Sequence, residues 1–189
     1  MLSPIRAPAE PSQKALPPDF ESAHFRQALA RFATGVTVIT TLAPGASKGD
    51  THSSSFAGVT VSSFNTLSLQ PPLVLWSLGA QARSLPLFQA GTDYVVNVLA
   101  ADQLELCQRF AYGQGDRFAQ TPYHLGQSGL PILEGALAWF ECHNRSRYEE
   151  GDHVLFVGEV ERCSFTTGAT GLIFHTGEFG QLTPLNPQG

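Results

Sequence analysis

The sequence predicts a mainly β fold, a closed or partly closed antiparallel barrel with short helices on its outside. Three observations lead there. Short β-branched and aromatic runs recur along the chain, each bounded by Gly, Pro or a polar cluster. The few helical stretches do not alternate regularly with those runs, which excludes a doubly wound parallel sheet. Two long strand-like segments, Ala136 to Arg145 and His153 to Thr166, meet at Glu150-Gly151-Asp152, a hairpin turn. About six or seven strands and three short helices are expected, with no internal repeat.

Taken in order, Asp19 is a candidate N-cap for a helix in which Phe25, Ala28, Leu29 and Phe32 recur at helical spacing. Gly35 follows closely and can end it. Val36 to Thr41 is β-branched throughout, which suits a pleated strand and costs χ1 freedom in a helix. Residues 44–55 read as a polar, Gly-containing loop. Phe56 to Phe64 reads as the next strand, and Leu73 to Leu78 as another after the Pro71-Pro72 break. Helical composition at 81–90 and 101–112 flanks a strand, Tyr94 to Val98. After the long hairpin, Leu172 to His175 is the last apolar strand.

Length and composition bound the rest. A chain of 189 residues fits one domain and can bury about two thirds of its unfolded surface, so it needs neither disulfides nor metal to fold. Prolines gather at the ends, so 1–18 reads as an extended arm, 19–182 as the domain and 183–189 as a tail. Only 14% of residues are charged, against roughly 25% in an average soluble domain. That scarcity fits subunits that pair. A net charge of −5 argues against a nucleic-acid partner, which would require a basic face. No apolar run approaches membrane-spanning length. The first residues lack the apolar stretch of a signal peptide, and Cys107, Cys142 and Cys163 form no disulfide pattern. A cytoplasmic protein with reduced thiols is the expectation.

Several motifs are decoys. Gly45-Ala46-Ser47-Lys48-Gly49 matches the nucleophile elbow in letters only, because a polar loop follows where a helix is required. Gly113-Gln114-Gly115 has no preceding strand and no third glycine, so it is a turn after a helix. Cys142, His143 and His153 are the nearest approach to a metal cluster, yet adjacent strand residues point to opposite faces. No metal is expected. Gly58 to Val74 differs from all of these: hydroxyl residues and an amide alternate with apolar ones, followed by a rigid double proline. Small hydroxyls and free backbone N–H groups at a strand end can bind a planar polar heterocycle. They can equally be the wet face of an edge strand.

The segment Gly58-Val59-Thr60-Val61-Ser62-Ser63-Phe64, running on to Pro71-Pro72-Leu73-Val74, resembles the signature of the flavin reductase-like, FMN-binding split-barrel family. The helix and strand from Phe25 to Thr41, Tyr94 to Ala100, Phe110-Ala111, Asp116-Arg117-Phe118, Gly129 to Cys142 and Gly151-Asp152-His153 are similar to further family blocks in the family's order, across roughly residues 23–182. The resemblance implies a homodimeric split β-barrel that reduces FMN, or FAD, with NADH or NADPH. It implies release of the reduced flavin to a separate flavin-dependent monooxygenase. It also implies that Thr60, Val61, Ser62, Ser63 and Phe64 lie along the isoalloxazine, and that Ser77, Arg83 and Ser84 meet the ribityl chain or phosphate. Asn97 and Arg117 are implied as further cofactor contacts, and His153 as the catalytic residue beside the nicotinamide. Read by itself, His153 is equally a hydrogen-bonded turn histidine. Two other readings stand beside the reductase: an FMN-retaining electron carrier or reductase of another small substrate, and a non-catalytic flavin-binding module. The loop 44–55 is longer than the family's, and Trp76 is unusual there, a bulky indole that, packed at the adenine side, would favour FMN over FAD.

Overall fold

The structure, a computed structural model, describes residues 18–183 and residue 185. The expected proline-rich arm and the tail therefore lie almost wholly outside the described residues. In chain order the elements are α1 (Ser22–Leu29), β1 (Thr34–Gly35), β2 (Thr37–Leu42), β3 (Phe56–Val61), β4 (Asn65–Leu69), β5 (Pro72–Gly79), α2 (Leu85–Ala90) and β6 (Asp93–Val98). There follow α3 (Leu104–Tyr112), β7 (Tyr123–Leu125), β8 (Pro131–Leu133), β9 (Ala138–Glu150), β10 (His153–Phe165), β11 (Leu172–His175) and β12 (Glu178–Gln181).

Seven strands form one antiparallel sheet in the order β3-β2-β6-β9-β10-β5-β4. The sheet curls into a barrel around one aromatic core. Trp76 lies flat on Phe156 at 4.3 Å, while Phe88 and Tyr94 meet its indole edge-on at 5.0 and 5.5 Å. Ile39, Val61 and Cys142 join this cluster from β2, β3 and β9, so strands from both halves of the sheet share it. A second cluster outside the barrel packs Val38 and Phe56 against Cys107 and Phe110 of α3. β2 is thus covered on both faces, which explains its unbroken apolar and β-branched run.

Five expectations change. Twelve strands form among the described residues instead of six or seven, five of them only two to four residues long. The stretch 56–64 is not one strand: it bends after Val61, and a separate strand, β4, pairs with β5 across the proline turn. Glu21, not Asp19, caps α1, and it does so without a side-chain hydrogen bond. α1 ends at Leu29, so Phe32, expected on the helix, lies in the turn beyond it, and Phe25, Leu29 and Phe32 are 49%, 57% and 71% exposed. Trp76 is wholly buried in the barrel and cannot flank a bound adenine. Among the described residues no helix is long and apolar enough to cross a membrane.

Candidate functional site

β3 and β4 are the two edges of the main sheet, and the bend between them brings Ser63 against β5. Ser63 Oγ donates to the Ser77 carbonyl at 2.7 Å and accepts the Ser77 N–H at 3.0 Å. One hydroxyl therefore replaces a ladder pair and stitches the barrel seam. Along β5 the side chains of Val74, Trp76 and Leu78 point inward, leaving Leu73, Leu75, Ser77 and Gly79 outward. Directly opposite on β10, Leu155 pairs with Ser77 and His153 with Gly79. Paired residues share a face, so His153 stands outside the barrel, about 7 Å along the strand from the Ser77 level.

Asp152 sets the orientation of His153. Its Oδ1 lies 2.7 Å from His153 Nδ1, and the Asp152 carbonyl is itself held by the Ala80 N–H. The hydrogen bond from His153, and then its charge, hold the exposed Asp152 carboxyl below its ordinary range. Nε2 is left facing Gly79, 3.9 Å from where a Cβ there would stand. Gly79 thus opens a flat area beside a ring nitrogen that can donate or accept.

β5 leads through the 80–84 turn into a groove of about 410 Å³ at the barrel end. Arg83, Ser84 and Arg117 line it together with Ser54 and Gly58. Arg117 donates to the carbonyls of Gly113, Gly58 and Phe110 at 3.0–3.1 Å, so its position is fixed without neutralising its charge. Asp116 also lines the groove, but its carboxylate is engaged by Ser53 Oγ and the Phe118 and Ala119 N–H groups. Two guanidinium groups and a hydroxyl suit a phosphate.

The remaining predicted residues are dispersed. Thr60, Val61 and Ser62 border a smaller hollow of about 170 Å³ further along β3, where Thr60 Oγ1 donates to the Cys107 carbonyl at 2.7 Å. The Val61 side chain is buried in the barrel core, and Phe64 packs on Phe140 at 5.7 Å. From these two, only backbone groups remain for a ligand. Asn97 is a core residue: its amide donates to the Val38 carbonyl at 3.1 Å and its Oδ1 accepts the Leu133 N–H at 2.9 Å. Reading the sequence missed Gly79, Asp152 and Ser54, although period-2 alternation from Trp76 would have placed Gly79 outward with Ser77.

The decoys fit their reading as loops. Ser47 sits in a turn closed by its N–H to Asp50, and Gly113 is the C-cap of α3. No cluster of three or more metal-ligating side chains occurs among the described residues. Burial pushes the Cys107 and Cys142 thiols up, away from the thiolate a nucleophile requires.

Comparison with known proteins gives this geometry its family. A model of the flavin reductase like domain matches residues 29–183. The chain is 36% identical over 183 residues to the FMN reductase (NADH) SmoA of Agrobacterium fabrum, covering 96% of this chain and 99% of that one. It is 35% identical over 162 residues to HsaB of Mycobacterium tuberculosis, the reductase subunit of a flavin-dependent monooxygenase, covering 85% of this chain and 82% of HsaB. The solved structure of the Streptomyces globisporus NADH:FAD oxidoreductase SgcE6, with NAD and FAD fragments, superposes with a TM-score of 0.79 at 32% identity, covering 92% of this chain and 99% of that one. The chain belongs to the flavin reductase-like family.

Proposed function

From that membership, we propose that the chain is an NADH-dependent flavin reductase that delivers reduced FMN or FAD to a separate flavin-dependent monooxygenase. The observation that carries this reading is the succession along β5 and the turn after it: Ser77 and Gly79 beside His153, then Arg83 and Ser84 in the groove that Arg117 also lines. That succession offers a flat area, a ring nitrogen and a phosphate site on neighbouring parts of the chain.

The flavin, when bound, accepts the hydride of the reduced nicotinamide, and the two cofactors supply that reactivity. The chain's own tasks are to bind, align and exclude water. Arg83 and Arg117 would hold phosphate charge, and Ser62 and backbone groups along 61–64 would meet the ring's polar edge with neutral donors. His153, fixed through Nδ1 by Asp152, would present Nε2 to the carboxamide of the nicotinamide. No nucleophile is required, and the Asp152–His153 pair serves to orient rather than to react. Because the face is open to solvent, we include a homodimer in the reading, with the second copy covering it. A cytoplasmic setting fits three free thiols, Cys107, Cys142 and Cys163.

The test is NADH and NADPH oxidation with FMN, FAD and riboflavin, alongside the colour of the purified protein. A colourless protein that oxidises NADH only when flavin is added is expected. A yellow protein retaining flavin through dialysis would favour the electron-carrier reading, and absence of NADH oxidation would leave only a flavin-binding module. His153→Ala should raise the KM for NADH about tenfold, the equivalent of roughly 1.4 kcal/mol of binding, with flavin affinity unchanged. An unaltered nicotinamide dependence refutes the role given to His153.

A further inference from the structure

The long loop between β2 and β3 is unexplained by flavin reduction as such. It forms one wall of a pocket of about 440 Å³, whose apolar lining includes Leu42, Pro44, Pro86, Leu87, Ala90 and Leu130. That volume is in the range of small-molecule sites, and the lining is that of a site for a flat apolar face. One edge is polar. Asp93 accepts hydrogen bonds from Lys48 Nζ at 2.6 Å and Thr92 Oγ1 at 2.8 Å, and its other oxygen meets His143 Nδ1 at 3.3 Å. A base that stacks on the aliphatic walls finds both a donor and acceptors on that edge.

The pocket adjoins the phosphate groove. Leu87 lines both, and the same loop contributes Ala43, Pro44, Gly45 and Lys48 to one and Ser54 to the other. From Ser84 to Ala90 the helix advances about 9 Å, a span that a ribose and a phosphate bridge. Arg83 and Arg117 stand at the near end of that path and Lys48 at the far end.

We propose that the 44–55 loop and the C-terminal end of α2 form a site for the adenylate end of FAD, making FAD the preferred flavin. This rests on the flavin-reductase reading, which assigns the groove to the flavin's phosphate. NADH carries the same adenylate chemistry, but its nicotinamide is assigned to His153, whereas the groove phosphate is the one to which FAD attaches its adenylate.

The test fills the pocket from opposite walls at exposed positions, with Ala90→Trp on α2 and Pro44→Trp on the loop, and reads binding by flavin fluorescence, which requires no turnover. The wild type should bind FAD about fivefold or more tightly than FMN. Both variants should weaken FAD about tenfold and leave FMN within about twofold. Thermal melts confirm that each variant is folded, and two separate walls keep the test alive if one is not. Equal wild-type affinities, or an FAD-to-FMN ratio that neither variant changes, overturns the proposal. A rise in the KM for NADH with FMN as acceptor would assign the pocket to the nicotinamide cofactor and overturns it as well. Loss of all flavin binding in the wild type would instead bring down the parent reading.

Discussion

Ser63 shows how one hydroxyl serves the fold beside the proposed site. Its Oγ satisfies the N–H and the carbonyl of Ser77 at the point where β3 ends and the seam between β3 and β5 opens. Ser63→Ala leaves two partly buried backbone groups without partners, which costs about 1–3 kcal/mol. In a domain of this size each kcal/mol lowers Tm by about 2–4 °C, so a loss of several degrees is expected in a thermal melt. A Tm within 1 °C of wild type, or about 0.3 kcal/mol, would show that the seam is held elsewhere. Asn97 teaches the converse. It was legible as a polar residue in an apolar strand, but sequence could not say whether its amide faced a ligand or the core. The structure gives it the Val38 carbonyl and the Leu133 N–H, both from segments distant in the chain. Only long-range contacts separate those outcomes.

At the scale of elements, legibility followed periodicity. β2, β5, β6 and the β9–β10 hairpin announced themselves because β-branched runs and a Gly-containing turn act locally. β4 stayed hidden, since its Asn-Thr-Leu-Ser-Leu sequence is mostly exposed and owes its extension to pairing with β5. Of the site, the blocks of residues were legible, but their separation into an outer face, a groove and a hollow was not, because barrel curvature decides which strand ends meet. The loop 44–55 illustrates an element fixed from outside itself. Lys48 ties it to β6 through Asp93. Burial alone would raise the Asp93 pKa, but hydrogen bonds from Lys48, Thr92 and His143, with the Lys48 charge, outweigh it and hold the carboxyl below its ordinary value. A depressed carboxylate stabilises the fold above its unfolded pKa of about 3.9 and loses that contribution as pH falls through its lower folded value. Asp93→Asn should therefore be less stable than wild type at pH 7, by about 1 kcal/mol since Lys48 is largely exposed. The gap should close as pH drops below about 4. Denaturant melts at several pH values check this, and a gap independent of pH would show that the carboxylate's charge is not what matters.

The whole molecule leaves apolar surface that its own fold does not use. Phe25 and Leu29 sit four residues apart on α1, Phe32 follows in the turn after it, and the Thr176 N–H, bonded to the Ala30 carbonyl at 2.9 Å, anchors the end of that helix. A fixed apolar stripe is presented to whatever lies outside, and Leu67, Leu69 and Tyr112 add further exposed apolar surface. With only 14% charged residues, the chain has little polar surface with which to dilute these groups. A second copy of the chain is the partner that fits the reading proposed above, because the outer face of β5 and β10, which that reading assigns to the flavin, is also open. Phe32→Glu tests that directly. The residue is 71% exposed, so the substitution costs the isolated chain little, yet it places a charge in any interface the stripe makes. Sedimentation should show wild type at twice the chain mass and the variant shifted toward the monomer. Flavin affinity should fall about tenfold with dissociation, as expected of a site completed by the partner. A wild-type monomer that binds flavin tightly would contradict this account of both the stripe and the open site.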